Sequence, residues 1–231
     1  MLKKLYYILL QRLYVYANKN ITNQGKVYMF HEIGDKKDTY TISENDFVSF
    51  INYIYNNKTI VDIDTMQQQL NDNNVVISFD DAYASVYEKA YPVLKKMDVP
   101  YYIFICGKYL NKKDYLNSDM IKEMLKDSKC ILGSHSMKHD LSRFKSGENF
   151  LDEINKSKES LQKEFNTVIN DFAFPYGSVY AVSDNNINIA KKVYKNIFMT
   201  FPLPYNQKYG NVIPRININY SNFMEEMKWY L

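Results

Sequence analysis

Short apolar segments alternate with amphipathic segments along nearly the whole chain, and this alternation most constrains the fold. The apolar segments have the length of strands, and the amphipathic segments repeat their apolar residues with the period of a helix. Such alternation predicts parallel strands that are joined by right-handed crossover helices. The predicted strands are apolar throughout, which agrees with a parallel sheet that is covered on both faces.

The number of predicted strands favours a closed barrel. The predicted strands span residues 26–30, 75–79, 101–105, 130–134, 171–175, 197–201 and 212–218. The predicted helices span residues 43–55, 83–97, 118–127, 148–165, 184–195 and 221–231, with Ser43 and Ser118 as N-caps. We therefore predict a distorted (β/α) barrel of about seven parallel strands, with a doubly wound open sheet as the alternative. No glycine-rich loop follows the first strand, which argues against a dinucleotide-binding fold.

The chain divides into an N-terminal amphipathic segment, residues 1–25, and a single domain, residues 26–231. The apolar run near the start is interrupted by Gln11 and Arg12, so it is too short to span a bilayer and makes a poor signal peptide. On a helix, one face would carry Leu2, Leu5, Leu9, Leu13 and Tyr16. Residues 1–16 could lie on an anionic membrane surface or pack on the domain's own core. A cytoplasmic location, with possible membrane association, is expected.

Composition indicates a globular protein and excludes one class of partner. Hydrophobic residues make up 46% of the chain and charged residues 24%, and the net charge of +3 is too small and too scattered to indicate nucleic-acid binding. The two cysteines, Cys106 and Cys130, lie in apolar stretches. We expect them to be buried free thiols, which favours a reducing compartment.

The three histidines of the chain all lie at or just beyond the ends of predicted strands. His31 follows the first strand, and His135 and His139 follow "CILGS" at a spacing of four. Loops at the carboxyl ends of barrel strands converge on one face, so these side chains can meet although they are distant in sequence. Two imidazoles and one carboxylate form an open ligand set for zinc or another divalent metal. The alternative is a pair of surface or capping histidines.

The carboxylate comes from an adjacent pair, Asp80 and Asp81, at the end of the apolar strand "VVISF". Neighbouring residues at a strand end point in different directions. One carboxylate can therefore bind a metal while the other faces an attacking water, as metal-assisted hydrolysis requires. The alternative is simple helix capping by Asp81 with a solvated Asp80.

Three motifs in this order, "SFDDAY", "HSMKH" and "FAFPYG", resemble those of the polysaccharide deacetylase family, the NodB-homology carbohydrate esterases. The resemblance runs from about residue 26 to residue 218. It implies a distorted (β/α) barrel that removes N-acetyl groups from amino sugars with the help of a metal. From the ligand types, we expect this metal to be a divalent ion, Zn²⁺ above others. Matched position by position, it implies that Asp80 is the catalytic base and that Tyr176 supplies a backbone N–H to the oxyanion hole. It also implies the metal ligands Asp81, His135 and His139.

The chain departs from the family pattern at two places. Many members have an arginine two positions before the motif proline, where this chain has Ala173, and Arg215 could supply that charge or be an ordinary strand-end arginine. Many members also have a catalytic histidine near the C-terminus, but none follows His139 here. In a subgroup acting on poly-glucosamine exopolysaccharide, a histidine in a similar N-terminal context takes that role, so His31 is our candidate general acid. Its alternative is a structural histidine.

The resemblance implies a metal-dependent N-deacetylase that acts on an amino-sugar glycan or sugar conjugate in surface glycan biosynthesis or modification. A formyl amide is a second possible substrate. The departures at the arginine and histidine positions keep a different class open, a catalytically silent sugar-binding protein on the same barrel. The adjacent Glu32 could orient the His31 ring, but so could Asp62 or Asp64, and the sequence does not choose among them.

Overall fold

A computed structural model describes residues 23–140, 147–178 and 181–222. Most of the predicted N-terminal segment and most of the predicted helix at residues 221–231 lie outside the described residues. The membrane contact proposed for residues 1–16 therefore stays a prediction. No helix in the described part of the chain combines the length and the hydrophobicity that a membrane span requires.

The described elements follow the predicted alternation, with several short additions. The strands are β1 Lys26–Phe30, β2 Glu32–Ile33, β3 Thr41–Ile42, β4 Thr59–Ile60, β5 Asn74–Phe79, β6 Tyr101–Ile105, β7 Cys130–Ser134, β8 Asp171–Ala173, β9 Asn196–Thr200 and β10 Val212–Asn217. The α-helices are α1 Glu44–Asn57, α2 Ile63–Gln68, α3 Tyr91–Met97, α4 Ser118–Met124, α5 Gly147–Phe165 and α6 Asp184–Val193. A π-helix spans Val86–Ala90, and a 3₁₀-helix spans Gln207–Tyr209.

Seven parallel strands form a closed barrel, which confirms the predicted fold. The strands β5 to β10 pair in sequence order, and β1 closes the ring by pairing with both β5 and β10. The short strand β4 pairs in parallel with the start of β5, and β2 and β3 form a separate two-stranded sheet. The first and last barrel strands are therefore neighbours, which brings residues near both ends of the described chain to one site.

Strand side chains alternate between the inside of the barrel and the layer between the barrel and its helices. The inner cluster contains Val27, Ile63, Met66, Val76, Tyr102, Phe104, Ala173, Phe198, Tyr205 and Ile213. The outer cluster is larger and joins the other strand faces to the helices. Met66 of α2 fills the space beside Gly25, which directly precedes β1, so this helix covers the amino-terminal end of the barrel. The carboxyl-terminal end is left for polar residues.

One local prediction was wrong, and another is confirmed with a local variation. The helix predicted for residues 83–97 is present from residue 84 to Met97, but it contains the π-helix, in which the Tyr91 N–H bonds to the Val86 carbonyl. Pro92 follows directly, and because its ring lacks an N–H and crowds the preceding turn, the wider turn accommodates it. The N-cap of α4 is Asn117, whose side chain accepts from the Met120 N–H, rather than Ser118. The predicted Ser43 cap of α1 is confirmed, and the two cysteines are buried and free as predicted.

Candidate metal centre and active site

The inner face of the barrel continues past the strand ends as a layer of polar residues. Because alternate residues share a face, the positions four beyond the inner residues Val27, Val76, Ile131 and Ile213 also point inward. Those positions hold His31, Asp80, His135 and Asn217. The inward-facing residues below them are largely apolar and pack the interior of the barrel, whereas this last layer is polar. Strand parity therefore explains why these four residues meet.

Asp81, His135 and His139 form a compact group of potential metal ligands. Oδ1 of Asp81 lies 3.3 Å from Nε2 of His139 and 3.6 Å from Nε2 of His135. One ligand atom from each residue lies within 4.8 Å of the other two. One carboxylate oxygen and two imidazole nitrogens are a donor set that suits Zn²⁺ and leaves further positions open.

The protonation of the group also suits a cation. Nδ1 of His135 donates to the Ala173 carbonyl at 2.8 Å, so its Nε2 presents a lone pair to the site. Oδ1 of Asp81 is buried and has no hydrogen-bond partner among the described residues. Burial and the nearby charge of Asp80 raise the pKa of Asp81 to about 7, and burial lowers the pKa of His135 to about 3. A buried carboxylate without a partner beside two neutral imidazoles fits a divalent ion.

The backbone is strained at two residues of this group and at Tyr176 beside it. Asp81, His139 and Tyr176 have φ angles of 64°, 53° and 59°, in the left-handed region that non-glycine residues seldom occupy. Each such residue costs of order 1 kcal/mol or more, and such residues cluster at functional sites. The left-handed turn at Asp81 ends strand β5 and turns the second carboxylate toward the histidines.

Asp80 is held by Arg215 through two short hydrogen bonds. Nη1 and Nη2 of Arg215 lie 2.6 and 2.7 Å from Oδ1 and Oδ2 of Asp80. Burial alone would raise the pKa of Asp80, but the guanidinium outweighs it and lowers the value to about 2. Arg215 thus makes the contact that the sequence suggested for it, and its part in catalysis stays a prediction. Because both oxygens are engaged, the carboxylate is fixed in orientation and ionised.

Arg215 is buried inside the barrel, between aromatic rings. Its guanidinium carbon lies 5.2 Å from the ring centre of Phe104 and 5.8 Å from that of Phe198. Gly133 on β7 leaves the space that the Phe104 ring occupies, so a Cβ at this position would collide with that ring. The aromatic faces are favourable surroundings for a cation that water cannot reach.

His31 is buried beside this ion pair, and its ring is neutral at pH 7. Burial lowers its pKa to about 4, partly opposed by the carboxylate of Asp80. Its Nδ1 has no partner within hydrogen-bond geometry among the described residues, and neither has Oδ1 of Asn217. The Asn217 side chain is nevertheless close enough to raise the pKa of the ring. Asn217 is thus the polar neighbour of His31, on the strand that pairs with β1.

The three acidic residues suggested to orient His31 all have other partners, so that prediction was wrong. Glu32 binds Lys36 at 2.9 Å. Asp62 caps α2, and Asp64 binds Lys195 at 2.6 Å. The last two lie at the amino-terminal end of the barrel with α2, whereas His31 lies at the carboxyl-terminal end.

Tyr176 follows β8 with its ring exposed and its N–H available. The residue is 51% exposed, and its ring meets the His139 ring edge-on, with ring centres 4.6 Å apart. Within the described parts of the chain, the Tyr176 N–H donates no hydrogen bond. This geometry leaves a backbone donor beside the candidate metal ligands, as an oxyanion hole requires.

One cavity of about 370 Å³ joins six of the seven predicted site residues. Its lining residues are Met29, His31, Thr39, Tyr40, Asp80, Asp81, Tyr83, His135, His139, Tyr176, Thr200 and Asn217. The seventh, Arg215, contacts Asp80 from below. Three of these lining residues were not predicted from the sequence, namely Tyr40, Thr200 and Asn217. For Thr200 and Asn217 a signal existed, because each lies two residues beyond an inward-facing residue, Phe198 or Arg215.

The chain is similar in sequence to a known protein family. The sequence model of the family described as "Polysaccharide deacetylase" matches residues 67–196, more than half of the chain. A poly-beta-1,6-N-acetyl-D-glucosamine N-deacetylase of Staphylococcus aureus (strain MSSA476) is 33% identical over 132 residues. That match covers 52% of this chain and 44% of the staphylococcal protein. The chain therefore matches less than half the length of this curated relative.

Solved structures share the fold at low sequence identity. IcaB from Ammonifex degensii has a TM-score of 0.79 and 20% identity, with 90% of this chain and 97% of that chain covered. The Streptococcus pyogenes deacetylase PplD, solved in complex with acetate, has a TM-score of 0.79 and 19% identity, with 90% and 98% covered. The barrel is thus the fold of these proteins.

Proposed function

The chain belongs to the polysaccharide deacetylase family, and on that premise we propose that it is a metal-dependent carbohydrate N-deacetylase. The proposed reaction removes an N-acetyl group, or a similar small acyl group, from an amino sugar of a surface glycan. The observation that carries this proposal is one cavity in which the group Asp81, His135 and His139 lies directly beside the Arg215-bound carboxylate of Asp80.

The three candidate metal ligands would hold the ion that activates the amide and the water for reaction. Asp81, His135 and His139 would hold a divalent ion, for which we propose Zn²⁺. When bound, such an ion polarises the amide carbonyl and lowers the pKa of a water molecule. Burial lowers the pKa of His135, and partial burial lowers that of His139, so both imidazoles are neutral at pH 7 and ready to ligate.

Asp80 acts as the base in this proposal. It accepts one proton from the attacking water, whose oxygen forms a bond to the amide carbon. Arg215 keeps the carboxylate ionised and aimed, at the expense of its basicity. The negative charge that develops on the carbonyl oxygen is met by the N–H of Tyr176.

His31 delivers the proton that the leaving amine needs. Because its ring begins neutral, it must first gain a proton, and the protonated Asp80 beside it is the source we propose. The proton then passes from His31 to the amine nitrogen as the C–N bond breaks, which leaves acetate and a free amino sugar. Water and amide are consumed and no further reactant is required.

The proposed substrate class follows from the relatives. The staphylococcal relative is named for poly-beta-1,6-N-acetyl-D-glucosamine, and PplD was solved with acetate. We propose that this chain likewise acts on an N-acetylated glucosamine glycan.

Acetate release tests this function. The protein, loaded with Zn²⁺ or Co²⁺, is incubated with β-1,6-linked N-acetylglucosamine oligomers, and acetate is measured enzymatically over time. We expect multiple turnovers, loss of turnover after a chelator removes the metal, and recovery when the metal is restored. Glycan binding without acetate release by metal-loaded protein would contradict the proposal and indicate a silent sugar-binding protein. Release of formate from N-formyl oligomers alone would identify a different acyl group.

A further inference from the structure

An exposed aromatic ring, Tyr40, stands at the mouth of the cavity and has no part in the proposed reaction. Its side chain lines the cavity although the residue is 51% exposed. The ring meets the His31 ring edge-on, with centres 5.3 Å apart and planes at 76°. A large ring left half in water beside a polar cavity indicates a surface that a ligand can cover.

The backbone that carries Tyr40 is firmly held on both sides. Residues 39–41 lie in the arm that contains β2 and β3, and they receive hydrogen bonds from β2 and from residues 217–220, at and just beyond the end of β10. The bonds run from Asn217 Nδ2 to Thr39 O at 3.1 Å, from Asn219 Nδ2 to Thr39 O at 3.2 Å, from Glu32 N to Tyr40 O at 3.1 Å and from Tyr220 N to Thr41 O at 2.7 Å. Because the backbone around Tyr40 is already fixed, its ring loses little conformational entropy when it binds a ligand.

The position of Tyr40 selects which part of a substrate it would meet. In the proposed reaction His31 protonates the amine, so the sugar that bears this amine lies on the His31 side of the cavity. Tyr40 contacts His31 and lies on that side, whereas Tyr176 contacts His139. The ring of Tyr40 is therefore placed to meet the sugar and not the acyl group.

We infer that Tyr40 is a platform on which the apolar face of a substrate sugar ring stacks, which makes it a specificity-determining residue for glycans over small acyl compounds. This inference rests on the proposed function, because it takes the amine to leave toward His31. A tyrosine ring offers a rigid, amphipathic surface that suits the C–H face of a pyranose, while its hydroxyl remains in water.

Substitutions at Tyr40 test the platform with two substrates. Tyr40→Ala, Tyr40→Phe and Tyr40→Trp are assayed on the β-1,6-linked N-acetylglucosamine tetramer and on 4-nitrophenyl acetate, which has no sugar. The matched control is Tyr55→Ala, a tyrosine of α1 that is 48% exposed. We expect Tyr40→Ala to lower kcat/KM for the tetramer about tenfold, chiefly through KM, with a clearly smaller loss for the aryl ester. Phe and Trp should retain most of the tetramer activity, and the control should match the wild type.

Binding measured apart from turnover separates this inference from the proposed function. Tetramer affinity is measured by calorimetry on the full chain without added metal, for the wild type and Tyr40→Ala. About tenfold weaker binding by the variant supports the platform even if no substrate turns over, which would contradict only the deacetylase proposal. Equal kcat/KM and equal affinity in Tyr40→Ala would overturn the platform, as would equal losses on both substrates. No tetramer binding by the wild type would overturn it as well.

Discussion

Replacing Arg215 with methionine is expected to lower the free energy of unfolding by about 3–5 kcal/mol, because it leaves a buried carboxylate without its partner. Asp80 is 2% exposed, and both of its oxygens are bound by Arg215. Methionine is unbranched and flexible enough to occupy the space between Phe104 and Phe198, so the charge is the main thing lost. Urea unfolding at pH 7, followed by circular dichroism, measures the change.

A double variant separates the charge from the packing. Asp80→Asn removes the carboxylate, so the variant that combines Asp80→Asn with Arg215→Met should be more stable than Arg215→Met alone. Lowering the pH should also reduce the loss of stability that Arg215→Met causes. The paired Asp80 of the wild type contributes stability above its unfolded pKa, which is lost as the pH falls through about 2. Without Arg215, burial raises the pKa of Asp80, so the deficit of the single variant should shrink on acidification. Strictly additive losses, independent of pH, would contradict the buried ion pair.

Asp80→Asn is expected to lower kcat for acetate release by about 10²–10⁴-fold, the usual contribution of a positioned base, while the metal stays bound. The amide cannot accept the proton of water, but the ligands Asp81, His135 and His139 are unchanged. Arg215 also loses its charged partner, so the variant will be less stable and must be assayed well below its unfolding temperature. Acetate release and metal content are measured on the same preparation.

Asp171→Asn is the matched control for this substitution. Asp171 is also a buried strand carboxylate, but it lies at the start of β8, at the other end of the barrel, where it accepts from Asn196 at 2.8 Å. Its variant should retain wild-type turnover. Loss of the metal in Asp80→Asn, with turnover lost for that reason, would show that the roles of Asp80 and Asp81 are exchanged. Near-normal turnover with metal present would remove Asp80 from the mechanism.

The barrel could be predicted from the sequence because its strands are long apolar runs separated by amphipathic helices. The metal group was predictable for a related reason. Residues at the carboxyl ends of parallel strands meet, so His135, His139 and the Asp80–Asp81 pair could be placed together without coordinates. The short strands β2, β3 and β4 and the six-residue helix α2 escaped notice, since segments of two to six residues carry no readable period.

Contacts between side chains were harder to predict than the site itself. That Arg215 reaches Asp80 depends on barrel closure, which sets β1 between β10 and β5, so that only one strand separates the two residues. Asn217 was missed as the neighbour of His31 because only carboxylates were considered as partners that orient the imidazole. Tyr40 belongs to the arm of β2 and β3, where no pattern in the sequence marks a ring that faces the cavity.

Metal binding by single-ligand variants tests the central claim most directly. The wild type and the variants Asp81→Ala, His135→Ala and His139→Ala are titrated with Zn²⁺ against a competing chelator, and bound metal is counted by mass spectrometry after desalting. His31→Ala and Asp80→Asn serve as controls that leave all three ligands in place. We expect one ion per wild-type chain and per control chain. Each ligand variant should lose more than the roughly 10–100-fold in affinity that removal of an outer hydrogen-bond partner costs. Three ligand variants that bind one ion as tightly as the wild type would contradict a centre formed by Asp81, His135 and His139.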